Sequence, residues 1–128
     1  MISILNIGMN HESAPVELRE SLSTDKIDQY EILSKMRGSD FINESIFIST
    51  CNRVEIICTS NDPVQAEKAV VDLMARASGL SAEKLRPYIY LHKDMDAVRH
   101  IFRVASSLDS MVVGEPQILG QVKEAFRL

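Results

Sequence analysis

Tryptophan is absent from this 128-residue chain, and aromatic residues make up only 5% of it. The core must therefore be packed mainly from aliphatic side chains. Cysteine is scarce as well: Cys51 and Cys58 are the only two. Two cysteines make no disulfide framework, and their spacing matches no metal or redox motif. A reducing, cytoplasmic compartment is the simplest inference. Basic charge is not in excess, with 14 Lys and Arg against 18 Asp and Glu and a net charge of -4. That argues against a dedicated nucleic-acid binder, which carries a basic patch, but not against a polyanion held mostly by another domain. No apolar run approaches the roughly 20 residues of a membrane-spanning helix. The N-terminal Met1-Ile2-Ser3-Ile4-Leu5 lacks the basic region and cleavage site of a signal peptide. No membrane partner is expected. The sequence also has no GxGxxG, no P-loop and no His/Cys/Asp/Glu cluster at metal-ligand spacing, so no metal is expected.

What is present is ordinary for a globular domain: 45% hydrophobic and 25% charged residues. One domain over residues 1–128 can bury a core without disulfide or metal. Residues 2–9 read as a strand. Ser13 is placed to cap a following helix, with Pro15 in its first turn. Residues 16–37 read as helical with a break near 21–23. Residues 45–50 and 54–59 read as two strands of a hairpin. Asp62-Pro63 opens a helix that Gly79 ends. Ser81 caps a short turn, Pro87 breaks the chain, and residues 88–91 form a strand. Asp94 is the expected N-cap of a helix over residues 95–108. Val98, Ile101, Phe102, Ala105 and Leu108 form its apolar face. A last helix follows Pro116. The order β-α-β-β-α-β predicts an α+β, ferredoxin-like fold, an antiparallel sheet with helices on one face and additional C-terminal helices. Residues 121–128 read as an unfinished amphipathic helix, as expected of a fragment of a longer protein.

The run Ser49-Thr50-Cys51-Asn52-Arg53-Val54-Glu55 puts a thiol at a polar break between two apolar runs. A free cysteine titrates near pH 8.5, so only a few per cent is thiolate at neutral pH. The charge on Arg53 would raise that fraction. Two readings are open: a presented nucleophile, or an inert cysteine at a strand end. Cys58 reads as a small buried strand hydrophobe. His100 lies off the apolar face of its helix, among Arg99, Arg103 and Ser107. A solvated surface histidine and a catalytic one fit that position equally. His11 and His92 read as turn or cap residues. Gln117 and Gln121 share a helix face and suit either solvent or the polar groups of an amino acid.

Three runs taken together carry a resemblance: Gly8-Met9-Asn10-His11-Glu12-Ser13-Ala14-Pro15-Val16, the cysteine run, and Gly114-Glu115-Pro116-Gln117-Ile118-Leu119-Gly120-Gln121-Val122-Lys123. They resemble glutamyl-tRNA reductase in order and spacing, from near residue 1 to the end of the chain. The resemblance implies an oxidoreductase that makes glutamate-1-semialdehyde from glutamyl-tRNA and NADPH, on the five-carbon route to tetrapyrroles and haem. It implies Cys51 as the nucleophile that forms a thioester, and His100 as the histidine that polarises the carbonyl or assists proton transfer. Thr50, Asn52, Arg53, Ser110, Glu115, Pro116, Gln117 and Gln121 match the substrate-binding positions.

The resemblance further implies an NADPH-binding domain and a helical dimerisation domain beyond this chain. It also implies a homodimer, and contact with the aminomutase that takes the product. On that reading the chain is the N-terminal catalytic domain, not expected to complete the reduction by itself. Glu12, Ser13 and Ser107 depart from the residues usual in the family. These departures touch loop and helix supports more than the reacting groups. The competing class is a non-catalytic ferredoxin-like module that binds a ligand or a protein, since the fold alone does not choose a function. A stand-alone cysteine acyltransferase or hydrolase, with His100 as its base, is a third reading.

Overall fold

A computed structural model describes residues 2–22, 29–50 and 52–105. Four strands form one sheet: β1 (Ser3–Asn10), β2 (Glu44–Ser49), β3 (Arg53–Ser60) and β4 (Tyr90–Lys93). Their spatial order is β2-β3-β1-β4, and every neighbouring pair is antiparallel. β2 ends at Ser49 and β3 begins at Arg53, so only residues 50–52 lie between them. The connection from β1 to β2 carries α1 (Val16–Ser21) and α2 (Gln29–Arg37). The connection from β3 to β4 carries α3 (Pro63–Ser78), α4 (Ala82–Leu85) and a 3-10 turn. α5 (Met95–Ala105) follows β4.

Alternation along the strands divides the sheet into two faces. Leu5, Ile7 and Met9 of β1 point the same way as Val54, Ile56 and Cys58 of β3. This face packs against Ile32, Met36, Val70 and Met74 from α2 and α3 in one aliphatic core. Burying each such side chain contributes roughly 1.5–3 kcal/mol, which lets the chain fold without tryptophan. Local chemistry fixes the ends of α3. The Asp62 side chain accepts a hydrogen bond from the Gln65 N–H at 3.3 Å. Gly79 takes a left-handed φ of 76° at the other end, where a β-carbon would be strained.

The opposite face has its own cover. Ile48 of β2 and Ile57 of β3 cluster with Val104 of α5, so α5 lies across the sheet from α2 and α3. The two helices within the β-α-β-β-α-β order, α2 and α3, thus share one face, and the additional helix α5 covers the other. The inward side of α5 differs from the expected stripe. Ala97, His100 and Val104 are buried, while Phe102 is 68% exposed. Leu108 and the expected helix after Pro116 lie outside the described residues. Asp94 starts α5 with its carbonyl, which accepts the Val98 N–H at 3.0 Å. Its carboxylate turns instead to β1 and accepts the Ile4 N–H at 3.1 Å. Ser13 does not cap α1 either. The N-cap is Pro15, with no side-chain bond, and the Ser13 hydroxyl accepts the Asn10 N–H at 2.9 Å.

Candidate active site

The β2–β3 turn is closed by its own side chain. The Thr50 N–H donates to the Arg53 carbonyl at 2.8 Å. The Thr50 hydroxyl oxygen accepts from the N–H groups of Asn52 and Arg53, both at 3.1 Å. A threonine hydroxyl used this way mimics a backbone turn and restricts it. The buried Asn52 offers its carbonyl to the His11 N–H at 2.9 Å, which ties the turn to the segment after β1. That segment is braced in turn by the Asn10 side chain, which accepts from the N–H groups of Glu12 and Ser13. Thr50 and Asn52 thus meet at one end of the sheet. Cys51, between them in the chain, lies outside the described residues.

From this turn β3 sends Arg53 and Glu55 to the face beneath α5. Both are fully buried, and an Arg53 guanidinium nitrogen lies 3.9 Å from Glu55 Oε2. The guanidinium therefore points into the protein beside a carboxylate. Glu55 Oε2 also lies 2.5 Å from His100 Nε2 and accepts a hydrogen bond from the Tyr90 hydroxyl at 2.6 Å. One carboxylate oxygen gathers three groups from β3, β4 and α5. Glycine at position 8, opposite Glu55, permits the approach. A β-carbon there would press on the Val54 carbonyl oxygen and stand 2.9 Å from the Glu55 Cα and Cγ.

Burial pushes the Glu55 carboxyl up. The hydrogen bond and charge of His100, the Tyr90 hydroxyl and the Arg53 charge outweigh that and hold it below its usual value. An ionised Glu55 demands a proton on His100 Nε2, because a carboxylate only accepts. In the neutral ring Nδ1 then carries the lone pair. His92 completes the cluster. Its ring stacks on His100 with centroids 4.4 Å apart and planes at 25°, and Tyr90 lies 5.4 Å from His100. Burial first, then the neighbouring His100 charge, lowers the pKa of His92.

His100 is thus neither solvated nor isolated: it is buried and held by a carboxylate. His92 lies within β4, not in a turn. Arg53 and His100 meet at Glu55, which closes the cysteine run but was given no role of its own from sequence. Its signal was an acid between Val54 and Ile56, inside a strand too apolar to leave it in solvent. Ser110, Glu115, Pro116, Gln117 and Gln121 lie outside the described residues. Among the described residues no group of His, Cys, Asp and Glu could hold a metal ion, and no helix is long and apolar enough to cross a membrane.

Residues 7–128 match the family model described as glutamyl-tRNAGlu reductase, N-terminal domain. The glutamyl-tRNA reductase of Syntrophotalea carbinolica is 47% identical over 127 residues, 99% of this chain and 29% of that protein. That of Nitratidesulfovibrio vulgaris is 50% identical over 121 residues, 94% of this chain and 27% of that protein. The solved structure of glutamyl-tRNA reductase from Methanopyrus kandleri aligns with a TM-score of 0.74 at 32% identity, over 97% of this chain and 27% of that one. The chain spans less than a third of the length of the curated relatives it matches.

Proposed function

This chain belongs to the glutamyl-tRNA reductase family as its N-terminal domain, and we propose that it takes the glutamyl group from glutamyl-tRNA onto Cys51. The thiolate sulfur attacks the ester carbonyl carbon, a C–S bond forms, and the C–O bond to the tRNA ribose breaks. The departing ribose oxygen takes a proton and leaves as a hydroxyl. Covalent capture divides one difficult step into two easier ones. Thr50 and Asn52 are fixed on either side of the nucleophile in the chain. His100 exchanges the proton through Nδ1, because Glu55 occupies Nε2. The tRNA substrate accords with a cytoplasmic enzyme of tetrapyrrole biosynthesis. We read the strand order and its two crossovers as the split β-α-β, ferredoxin-like plan.

NADPH is the reductant that this reading gives to the whole protein, and when bound it supplies hydride. The described residues do not fit a dinucleotide. The segment after β1 is closed by the Asn10 and Ser13 side chains, leaving no glycine-rich cradle before α1. No step is assigned to these residues through that cofactor.

The observation that carries the proposal is the buried Glu55–His100 pair, whose carboxylate stands on the strand that begins two residues after Cys51. Mass spectrometry after exposure to glutamyl-tRNA tests it. The expected result is a glutamyl adduct that Cys51→Ser abolishes and Cys58→Ser retains. An adduct on Cys58, or none on the wild-type chain, overturns the assignment.

A further inference from the structure

We propose that His92 is a positioning residue for His100, stacked on its ring to hold the orientation in which Glu55 binds Nε2 and Nδ1 exchanges the proton. The inference rests on the acyl-transfer reading above and adds a residue to it. Three observations carry it. The two ring planes are tilted by only 25°, with centroids 4.4 Å apart, the geometry of a stacked pair. His92 extends from β4 while His100 comes from α5, so the stack fixes the helix-borne ring from the sheet side. Tyr90, two residues earlier on the same face of β4, lies 5.3 Å from His92 and bonds the same Glu55 oxygen as His100.

A hydrogen bond at Nε2 sets the position of one ring atom, and a stacked face sets the plane of the ring. The Glu55 contact restrains the Nε2 end, and the His92 face restrains the plane. A catalytic group displaced by about 1 Å can lose on the order of 100-fold in rate, so a ring-plane restraint has a measurable consequence. The stack also limits charge. Two cations in face-to-face contact repel, so His92 stays neutral when His100 is protonated. Glu55 from β3, Asp96, His100 and Arg103 from α5 set the charge around His92. Arg53 and Tyr90 act on the shared Glu55 carboxylate.

The test compares His92→Ala with His92→Phe in the chain, by two readouts. The first is single-turnover transfer of glutamate from glutamyl-tRNA to Cys51. His92→Ala should lower the saturating rate about tenfold with little change in the half-saturating tRNA concentration. His92→Phe, which restores an aromatic face without a titrating group, should return the rate to within about twofold of wild type. The second readout is NMR of the His100 ring, which needs no substrate. His92→Ala should shift and broaden its signals, and His92→Phe should keep them sharp. Equal rates and unchanged His100 signals in His92→Ala overturn the proposal, as does His92→Phe behaving like His92→Ala. Failure of the acyl-transfer reading is distinct: no adduct forms on the wild-type chain, while the NMR comparison still reports on the stack.

Discussion

Nε2 of His100 and Oε2 of Glu55 lie 2.5 Å apart, both buried and 45 residues apart in the chain. This contact joins α5 to β3, the strand that starts two residues after Cys51. Removing the charge of Glu55 should therefore affect chemistry more than architecture. In Glu55→Gln the amide can still fill the space but no longer requires the proton on Nε2. Transfer to Cys51 should fall about 100-fold, the low end of what a positioned acid or base contributes. Stability should drop by about 1–3 kcal/mol, the cost of an ill-matched buried polar group. Single-turnover kinetics and urea unfolding of one variant separate the two effects. A wild-type transfer rate in Glu55→Gln would remove the pair from the mechanism.

Acid should act on this face in two steps. The folded-state pKa of His92 lies below its ordinary value of 6.5, so the fold favours the neutral ring. Its contribution is constant above that value, and stability is lost as pH falls below 6.5, where the unfolded chain takes up the proton. The folded-state pKa of Glu55 lies below its ordinary value of 4.5. Its stabilisation is complete above 4.5 and is lost as pH falls through the lower folded value. Thermal melts between pH 8 and pH 3 should show both declines. His92→Phe should remove the upper one and Glu55→Gln the lower one. An upper decline of the same size in His92→Phe contradicts this account.

Asn6 lies in register with His92, fully buried, and its amide makes no hydrogen bond to a described residue. Such a group costs roughly 1–3 kcal/mol relative to an apolar replacement of similar shape. Asn6→Leu should raise the urea midpoint, by about 1 kcal/mol in stability, with an unchanged denaturant slope. A loss of stability would mean that the amide is satisfied in solution.

The two cysteines should react very differently. Cys58 is 1% exposed in the aliphatic core, and burial pushes its thiol up to about 11. Alkylation of the native chain at pH 7.5 should therefore label Cys51 alone, and Cys58 only after denaturant. Peptide mapping distinguishes them. Native labelling of Cys58 at a comparable rate would show that the core opens readily and would weaken the assignment of any adduct.

Local signals were legible in the sequence, and distant partners were not. Asp62, Pro63 and Gly79 bound α3 because each acts on backbone within a few residues. The hairpin was legible from two β-rich runs around a polar break, and its turn is closed by Thr50 within the same four residues. Ser13 misled because Asn10, three residues earlier, binds its hydroxyl and its N–H. α5 misled more. Hydrophobicity placed Phe102 inside and His100 aside, but Glu55 and Tyr90 await the imidazole on the sheet, and that long-range partner sets which side of the helix faces inward. Glu55 and His92 were missed as site residues for the same reason: although Glu55 closes the cysteine run, the roles of both come from strand register and distant partners. Cys51, Ser110, Glu115, Pro116, Gln117 and Gln121 were singled out from sequence and lie outside the described residues.

Gly8 provides the most stringent test of how the sheet serves the site. Its register partner is Glu55, and its role is close approach across β1 and β3. In Gly8→Ala the added methyl meets the Val54 carbonyl oxygen, which belongs to the ladder and cannot rotate away. It also stands 2.9 Å from the Glu55 Cα and Cγ. Relief requires the strands to part or Glu55 to move, and either change draws the carboxylate away from His100. Overpacking of this kind costs about 1–3 kcal/mol. Gly8→Ala should thus lose stability and transfer activity together, and the His100 ring signals should shift. Comparison with Asp62→Ala, a helix-cap change expected to cost about 1 kcal/mol without touching Glu55, separates the causes. If the two variants lose activity only in proportion to stability, Gly8 serves packing alone; a further loss confined to Gly8→Ala shows that the spacing between these strands sets the position of the carboxylate.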